Sequence, residues 1–319
     1  LSAGEPSTEG VAVTAGVALD GPPPEVSVVI PAYRGGPFLR EAVRSMLDQT
    51  FEPLEVLVVS DGSDDPMEDL EAMDDRVRVI RCEHRGVSAA RNTGLLESRA
   101  PYVAFLDEDD LATPGRVLAQ YRALSERPEA AMAHSLVQVF DENGNQVGPL
   151  RGGSCTYVDM LGAHFLHMTS LMVRRREAII AGGFDSLLIT GEDIDFQLRL
   201  AKDHEVAFVP EVLTRYRLHD DNTSIDPMMA QQVIDPILQM HWSWATQMDR
   251  REWAEAAATG REANRRTNAM AAYRQAGQCR RAGDVRRAAH YLAMSLRISP
   301  LAAPKVLWRD TWDRTSGNG

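Results

Sequence analysis

Four short runs of β-branched and aliphatic residues, separated by segments of helical spacing, constrain this chain more than any other feature. Val26-Ser27-Val28-Val29-Ile30 is closed by Pro31, and Leu54 to Val59 stops at Asp61-Gly62-Ser63. Val77 to Ile80 and Tyr102 to Leu106 are the third and fourth runs. Between them, Phe38 to Gln49 places Leu39, Ala42, Val43, Met46 and Leu47 at helical spacing. Met67 to Met73 reads as a short helix, and Val87 to Ser98 as a helix opening after Gly86. Strand and helix in alternation predict βαβ units and a mostly parallel sheet flanked by helices. In such sheets ligands sit beyond the carboxyl ends of the strands. The turns to inspect are therefore Pro31–Arg34, Ser60–Asp65, His84–Asn92 and Asp107–Asp110.

The rest of the chain divides around this α/β block, which is read over residues 25–225. Residues 1–24, rich in Gly, Ala, Ser, Thr and Pro, read as a flexible tail. The apolar stretch Val11 to Leu19 is short and has no basic residue before it, so it is not read as a signal peptide. Residues 226–319 carry no strand signal and form a helical appendage. Helical spacing runs through Trp242 to Ala258, Ala263 to Ala282 and Val285 to Leu296, with breaks expected at Pro227, Pro236, Gly260, Gly283 and Pro300. Gln275 to Pro300 has the look of one helix-turn-helix unit of the tetratricopeptide kind.

Charge separates these parts. With 46 acids against 34 bases the chain carries −12, a poor general partner for nucleic acid. From Asp249 onward 14 bases face 7 acids, a local +7, which leaves −19 on the preceding part. The basic helical end is either a solvated surface or a dock for an acidic acceptor, an anionic membrane or a protein partner. Cys82, Cys155 and Cys279 are far apart and form no CxxC, which fits a reducing, cytoplasmic setting, with or without membrane association. No window approaches the roughly 18 apolar residues of a membrane span.

Five places could carry chemistry. Asp107-Glu108-Asp109-Asp110 follows a strand directly; if the strand continues, Asp107 and Asp109 share a side and suit a hard divalent ion, or the run is a solvated acidic turn. Asp61 before Gly62 can accept from a nucleobase or ribose, or merely shape a turn. Gly86 to Gly94 opens a helix on small residues, where Arg91 can face a phosphate or pack in solvent. Thr190 and Asp193 stand at capping-box spacing, yet Asp193 is also where a general base could sit. His219 is a lone histidine in a polar stretch.

Taken in order, these pieces resemble a family 2 glycosyltransferase of the GT-A fold. The likeness rests on Val28 to Tyr33, Leu39 to Phe51, Val59 to Ser63, Val87 to Gly94, Phe105 to Asp110, Gly182-Gly183-Phe184-Asp185, and Gly191-Glu192-Asp193 with Arg199 six residues on. It covers about residues 25–225. It implies a Rossmann-like mixed, mostly parallel sheet and a metal-dependent, inverting transfer from a nucleotide-diphosphate sugar, usually UDP-linked, to an acceptor hydroxyl. By the same resemblance Pro31, Ala32, Tyr33 and Asp61 would hold nucleobase and ribose, with Arg91 near the diphosphate and Asp107 on the uridine side. Asp109 and His219 would ligate Mn²⁺ or Mg²⁺, and Asp193 would be the general base. Glu108 would point away. A nucleotide-sugar pyrophosphorylase wants a Gly-rich loop where Pro31-Ala32-Tyr33 stands, and a dinucleotide dehydrogenase wants GxGxxG there. The alternative from another class is a catalytically silent nucleotide-sugar-binding module or docking protein. Sugar and acceptor are not legible in the sequence.

Overall fold

Strand β1 (Val26–Ala32) is buried at every position, as expected of a central parallel strand covered on both faces. The computed structural model describes residues 23–33, 35–141, 143–219 and 227–300. Residues 1–22 of the tail read over 1–24, the turn residue Arg34, residues 142 and 220–226, and the chain after Pro300 lie outside the described residues.

Parallel to β1 lie β2 (Leu54–Asp61) on one side and β4 (Tyr102–Phe105) on the other, with β3 (Val77–Cys82) beyond β2. The proline expected to close β1 is inside it: Pro31 pairs in register with Val59, and the strand ends at Ala32. Helices α1 (Pro37–Leu47), α2 (Glu68–Glu71) and α3 (Val87–Glu97) connect these strands where the spacing predicted helices. Pro37 starts α1 because its missing N–H costs nothing in a first turn.

Four more strands, beyond the four placed from the sequence, complete one sheet of order β3-β2-β1-β4-β7-β6-β8-β5. They are β5 (Leu111–Ala112), β6 (Ala130–Phe140), β7 (Met172–Arg174) and β8 (Glu205–Arg217). β7 runs antiparallel to β4 and β6, and β5 antiparallel to β8, whereas β6 and β8 are parallel. The sheet is therefore mixed and mostly parallel, with α4 (Arg116–Ser125), α5 (Tyr157–Leu161), α6 (Arg175–Ile180) and α7 (Glu192–Ala201) around it.

Alternation along the strands makes two cores. Val28, Ile30, Val56, Val58 and Ala104 face α1 and α4, meeting Leu39, Met46, Val117 and Leu124. Val29, Leu57, Val59, Val103 and Phe105 face the other way, toward Phe184, Phe196 and Leu198. Here α3 lies so close to β1 that a Cβ on Gly94 would stand 2.3 Å from a methyl of Val29.

The helical end differs from expectation in its breaks. Helix α8 (Pro227–Gln247) contains Pro236, and α9 (Arg251–Arg281) runs through Gly260, so neither residue ends a helix. Gly260 is a contact residue instead, since its Cβ would fall 1.9 Å from the carbonyl oxygen of Leu161 in α5. Gly283 does turn the chain, at φ +81°, into α10 (Val285–Ile298), which Asp284 caps through the Arg287 N–H at 2.9 Å. Ile237, Leu238 and Ala257 of α8 and α9 belong to the same buried cluster as Phe105 and Phe196. The helices thus complete the core under one face of the sheet.

Candidate active site

At the carboxyl edge of β4 the chain turns rather than continuing as a strand: the Asp110 N–H donates to the Asp107 carbonyl at 3.1 Å. Asp107 and Asp109 therefore converge through a turn and not through strand alternation. Burial, then the neighbouring charge of Asp107, pushes the Asp109 carboxyl above its ordinary value, and the hydrogen bond to His219 opposes this. His219 Nε2 lies 2.9 Å from Asp109 Oδ2, so the structure brings together the two residues expected to share a cation. The ring of Phe38 packs against His219 at 5.3 Å.

Asp110 is buried completely. The Arg217 N–H donates to its Oδ1 at 2.8 Å, and the Arg217 Nε donates to the Asp109 carbonyl at 2.9 Å. Burial first, then the carboxylates of Asp107 and Asp109, push the Asp110 carboxyl well up. Glu108 does not point away: its Oε1 accepts the Tyr33 N–H at 3.2 Å, joining the acidic turn to the turn after β1.

Arg91 connects the two halves of the site. It is 5% exposed and donates to Asp107 Oδ1 and to Glu192 Oε1, each at 2.8 Å. Burial works against its charge, and the two carboxylates outweigh that and raise its pKa. The guanidinium also lies 5.6 Å from the centre of the Phe184 ring. Phe184 is fixed in turn by Asn92, which accepts its N–H at 2.8 Å and donates to its carbonyl at 2.7 Å. Gly183 precedes it at φ +64°, where a Cβ would fall 2.5 Å from the Asn92 oxygen. Arg199 donates to the carbonyls of Ala181 and Gly183 and to Asp195, tying the same loop to α7.

Asp193 stands in the first turn of α7, beside Glu192. The capping box foreseen from Thr190 does not form; the N-cap is Gly191, in the left-handed region at φ +75°. Asp193 accepts from the Ile194 N–H at 2.8 Å. Its carboxyl is pushed up to about 6 by burial and by the charge of Glu192, with Arg91 opposing. A carboxylate with this pKa is matched to taking a proton near neutral pH.

On the other side of the sheet edge, Asp61 ends β2. Both carboxylate oxygens are engaged, accepting the N–H groups of Arg85 and Gly86 at 2.8 and 2.9 Å and so shaping the loop into α3. Tyr33, half exposed, packs its ring against His84 at 4.9 Å, while Pro31 and Ala32 are buried. These residues line one end of the edge, and the acidic turn and Asp193 line the other.

Several pairings here had no reading in the sequence. That of Glu192 with Arg91 is one. Arg116 and Gln120 are buried beneath the acidic turn; Arg116 donates to the Phe105 carbonyl at 2.7 Å and to Gln120 at 3.1 Å. Its pKa falls to about 10 through burial, with the charges of Asp110 and Asp107 holding it up. The signal was an Arg and a Gln four apart on the apolar face of α4, with Val117 and Leu124. His167 and Tyr216 pack at 5.8 Å near the same carboxylates; burial takes His167 down to about 4 and Tyr216 up to about 12.

The donor chemistry fits a divalent cation with few protein ligands. Asp109 and His219 offer a hard oxygen and an imidazole, and Asp107 is a second acid. Among the described residues no group of three His, Cys, Asp or Glu side chains stands ready to enclose an ion. Other ligands would have to complete the shell.

Residues 27–179 match the model of the family described as glycosyl transferase family 2. An uncharacterized glycosyltransferase of Rickettsia felis is 27% identical over 212 residues, covering 63% of this chain and 35% of that protein. Another, from Methanocaldococcus jannaschii, is 27% identical over 232 residues and covers 69% and 80%. Chondroitin synthase of Escherichia coli is 28% identical over 218 residues, covering 66% and 31%. This chain spans about a third of the length of the first curated relatives it matches. Among solved structures, S. aureus TarS residues 1–349 in complex with UDP-GlcNAc superposes with a TM-score of 0.55 at 17% identity, covering 83% of this chain and 89% of that one. That likeness establishes a shared fold.

Proposed function

Because residues 27–179 match the model of glycosyl transferase family 2, we propose that this chain transfers a sugar from a nucleotide-diphosphate donor to an acceptor hydroxyl with inversion. The observation that carries this reading is the line Asp107–Arg91–Glu192 with Asp193 beside it. One buried guanidinium joins the acidic strand edge to the helix turn that bears a carboxyl raised to about 6. UDP is the proposed nucleotide, supported by the shared fold with TarS, which was solved with UDP-GlcNAc.

The division of labour follows the placement of the residues. Tyr33 and His84 offer a ring wall for the nucleobase at the β1 edge, with Asp61 holding the loop behind it. Asp109 and His219 would hold Mn²⁺ or Mg²⁺, with Asp107 on the uridine side. When bound, such an ion neutralises charge on the leaving diphosphate. Arg91 lies where it can share that charge, and its two carboxylate partners keep it in place. Asp193 takes the acceptor proton as the hydroxyl attacks the anomeric carbon from the face opposite the leaving group. A single displacement inverts that carbon and needs no enzyme nucleophile.

The test is UDP release from a panel of UDP-sugars with Mn²⁺, comparing wild type with Asp109→Asn and Asp193→Asn. Slow hydrolysis needs no acceptor. Turnover of one sugar nucleotide, stopped by EDTA and abolished in Asp109→Asn, supports the reading. Metal-dependent binding without turnover across UDP-, GDP- and dTDP-sugars overturns it in favour of a silent binding module.

A further inference from the structure

Helix α10 carries two apolar faces where a peripheral helix needs one. Ala288, Tyr291, Met294, Ser295 and Ile298 turn inward, and the Ser295 hydroxyl donates to the Ala269 carbonyl of α9 at 2.8 Å. Val285, Ala289, Leu292 and Leu296 form a second stripe, spaced four, three and four residues apart on the exposed side. Val285 is 72% exposed, Leu292 41% and Leu296 45%.

The surroundings of this stripe are cationic. From Ala263 to Ile298 the chain has eight arginines and one acid, Asp284. Arg265, Arg266 and Arg287 face Asp235, Glu262 and Asp284. Arg274, Arg280, Arg281, Arg286 and Arg297 are exposed, with no ion pair among the described residues. Arg286 and Arg297 each follow a stripe residue, Val285 and Leu296, so a basic line runs beside the aliphatic one.

We propose that this face of α10, with the arginines at the end of α9, seats the protein on an anionic lipid surface. The aliphatic stripe enters the boundary between headgroups and acyl chains, and the arginines meet lipid phosphates. Charge complementarity selects this occupant. Nucleic acid would engage the arginines but has no use for the leucines, and a second copy packed face to face on this helix would bring the same positive charge against itself.

The experiment is co-sedimentation of the whole protein with vesicles of phosphatidylcholine alone and with phosphatidylglycerol added. Arg286→Ser/Arg297→Ser and Leu292→Ser/Leu296→Ser are compared with wild type, with circular dichroism to show that each variant folds. Binding is expected only on the anionic vesicles and weakened by salt. The arginine pair should lower it by about 30-fold, and the leucine pair should lower it without removing the salt dependence. UDP-sugar turnover in solution should stay unchanged in both variants. Absence of salt-dependent binding to anionic vesicles overturns the proposal. So does binding indifferent to both variants. Concentration-dependent self-association in light scattering, lost in the leucine variant and unaccompanied by vesicle binding, would assign the face to a second copy.

Discussion

In the proposed mechanism Asp193 suits a base because its carboxyl is displaced. A base acts only when ionised, and burial beside Glu192 raises its pKa to about 6. Turnover is therefore expected to rise tenfold per pH unit below about 6 and to level off above it. Initial rates from pH 5 to 8 check this, and a flat wild-type profile between 5 and 7 would remove Asp193 from the role. Asp193→Asn should cost 10²- to 10⁴-fold, order of magnitude, and lose the inflection. Arg116 makes a different claim. It is a fully buried cation whose charge is offset by Asp110 and Asp107. Arg116→Met leaves those acids without it and should destabilise by about 3 kcal/mol in urea unfolding. Adding Asp110→Asn should recover part of that loss, because the uncompensated charge goes too; simple additivity would show that the two do not interact. Asp109, Asp193 and Arg91 could be singled out as candidates because each sits in a short run with the right neighbours. The pairing of Glu192 with Arg91 could not, since the two are 101 positions apart and no local pattern links them.

Elements were legible where packing and local propensity agree. β1 and β2 are continuous β-branched runs because both faces are covered. β6 opens Ala-Ala-Met-Ala, and β8 contains Pro210, around which its pairing with β6 shifts from Val209 to Val212. A strand that absorbs a bulge has neither clean alternation nor a clean apolar run to read. Helix breaks failed for a related reason. Gly260 looked like a stop because glycine weakens helices, whereas the close approach of Leu161 demands the missing Cβ. Gly260→Ala tests which effect governs. Helix propensity alone would add about 1 kcal/mol of stability. A Cβ 1.9 Å from a backbone oxygen forces α5 and α9 apart and should instead lower stability by about 3 kcal/mol. The urea midpoint gives the sign directly.

For the molecule as a whole, His241 marks the join between the sheet and the helical end. Its Nδ1 lies 2.7 Å from the Tyr157 hydroxyl, and burial takes its pKa down to about 4. Because the folded pKa lies below the unfolded value near 6.5, the unfolded chain gains a proton first as pH falls. His241 therefore costs up to about 1.4 kcal/mol per pH unit between 6.5 and about 4. From pH 7 to 5 wild type should lose more in thermal midpoint than His241→Gln; an equal loss would mean that the ring titrates normally. The same join has an evolutionary side. Gly191, the residue that starts the helix bearing Asp193, would drive a Cβ to 2.8 Å from a methyl of Val233 in α8. A recombination that exchanged everything after β8 for a foreign segment would strip the backing from that turn. Variation at residue 233 is therefore expected to track variation around residue 191 rather than around its own neighbours, which aligned homologues would check.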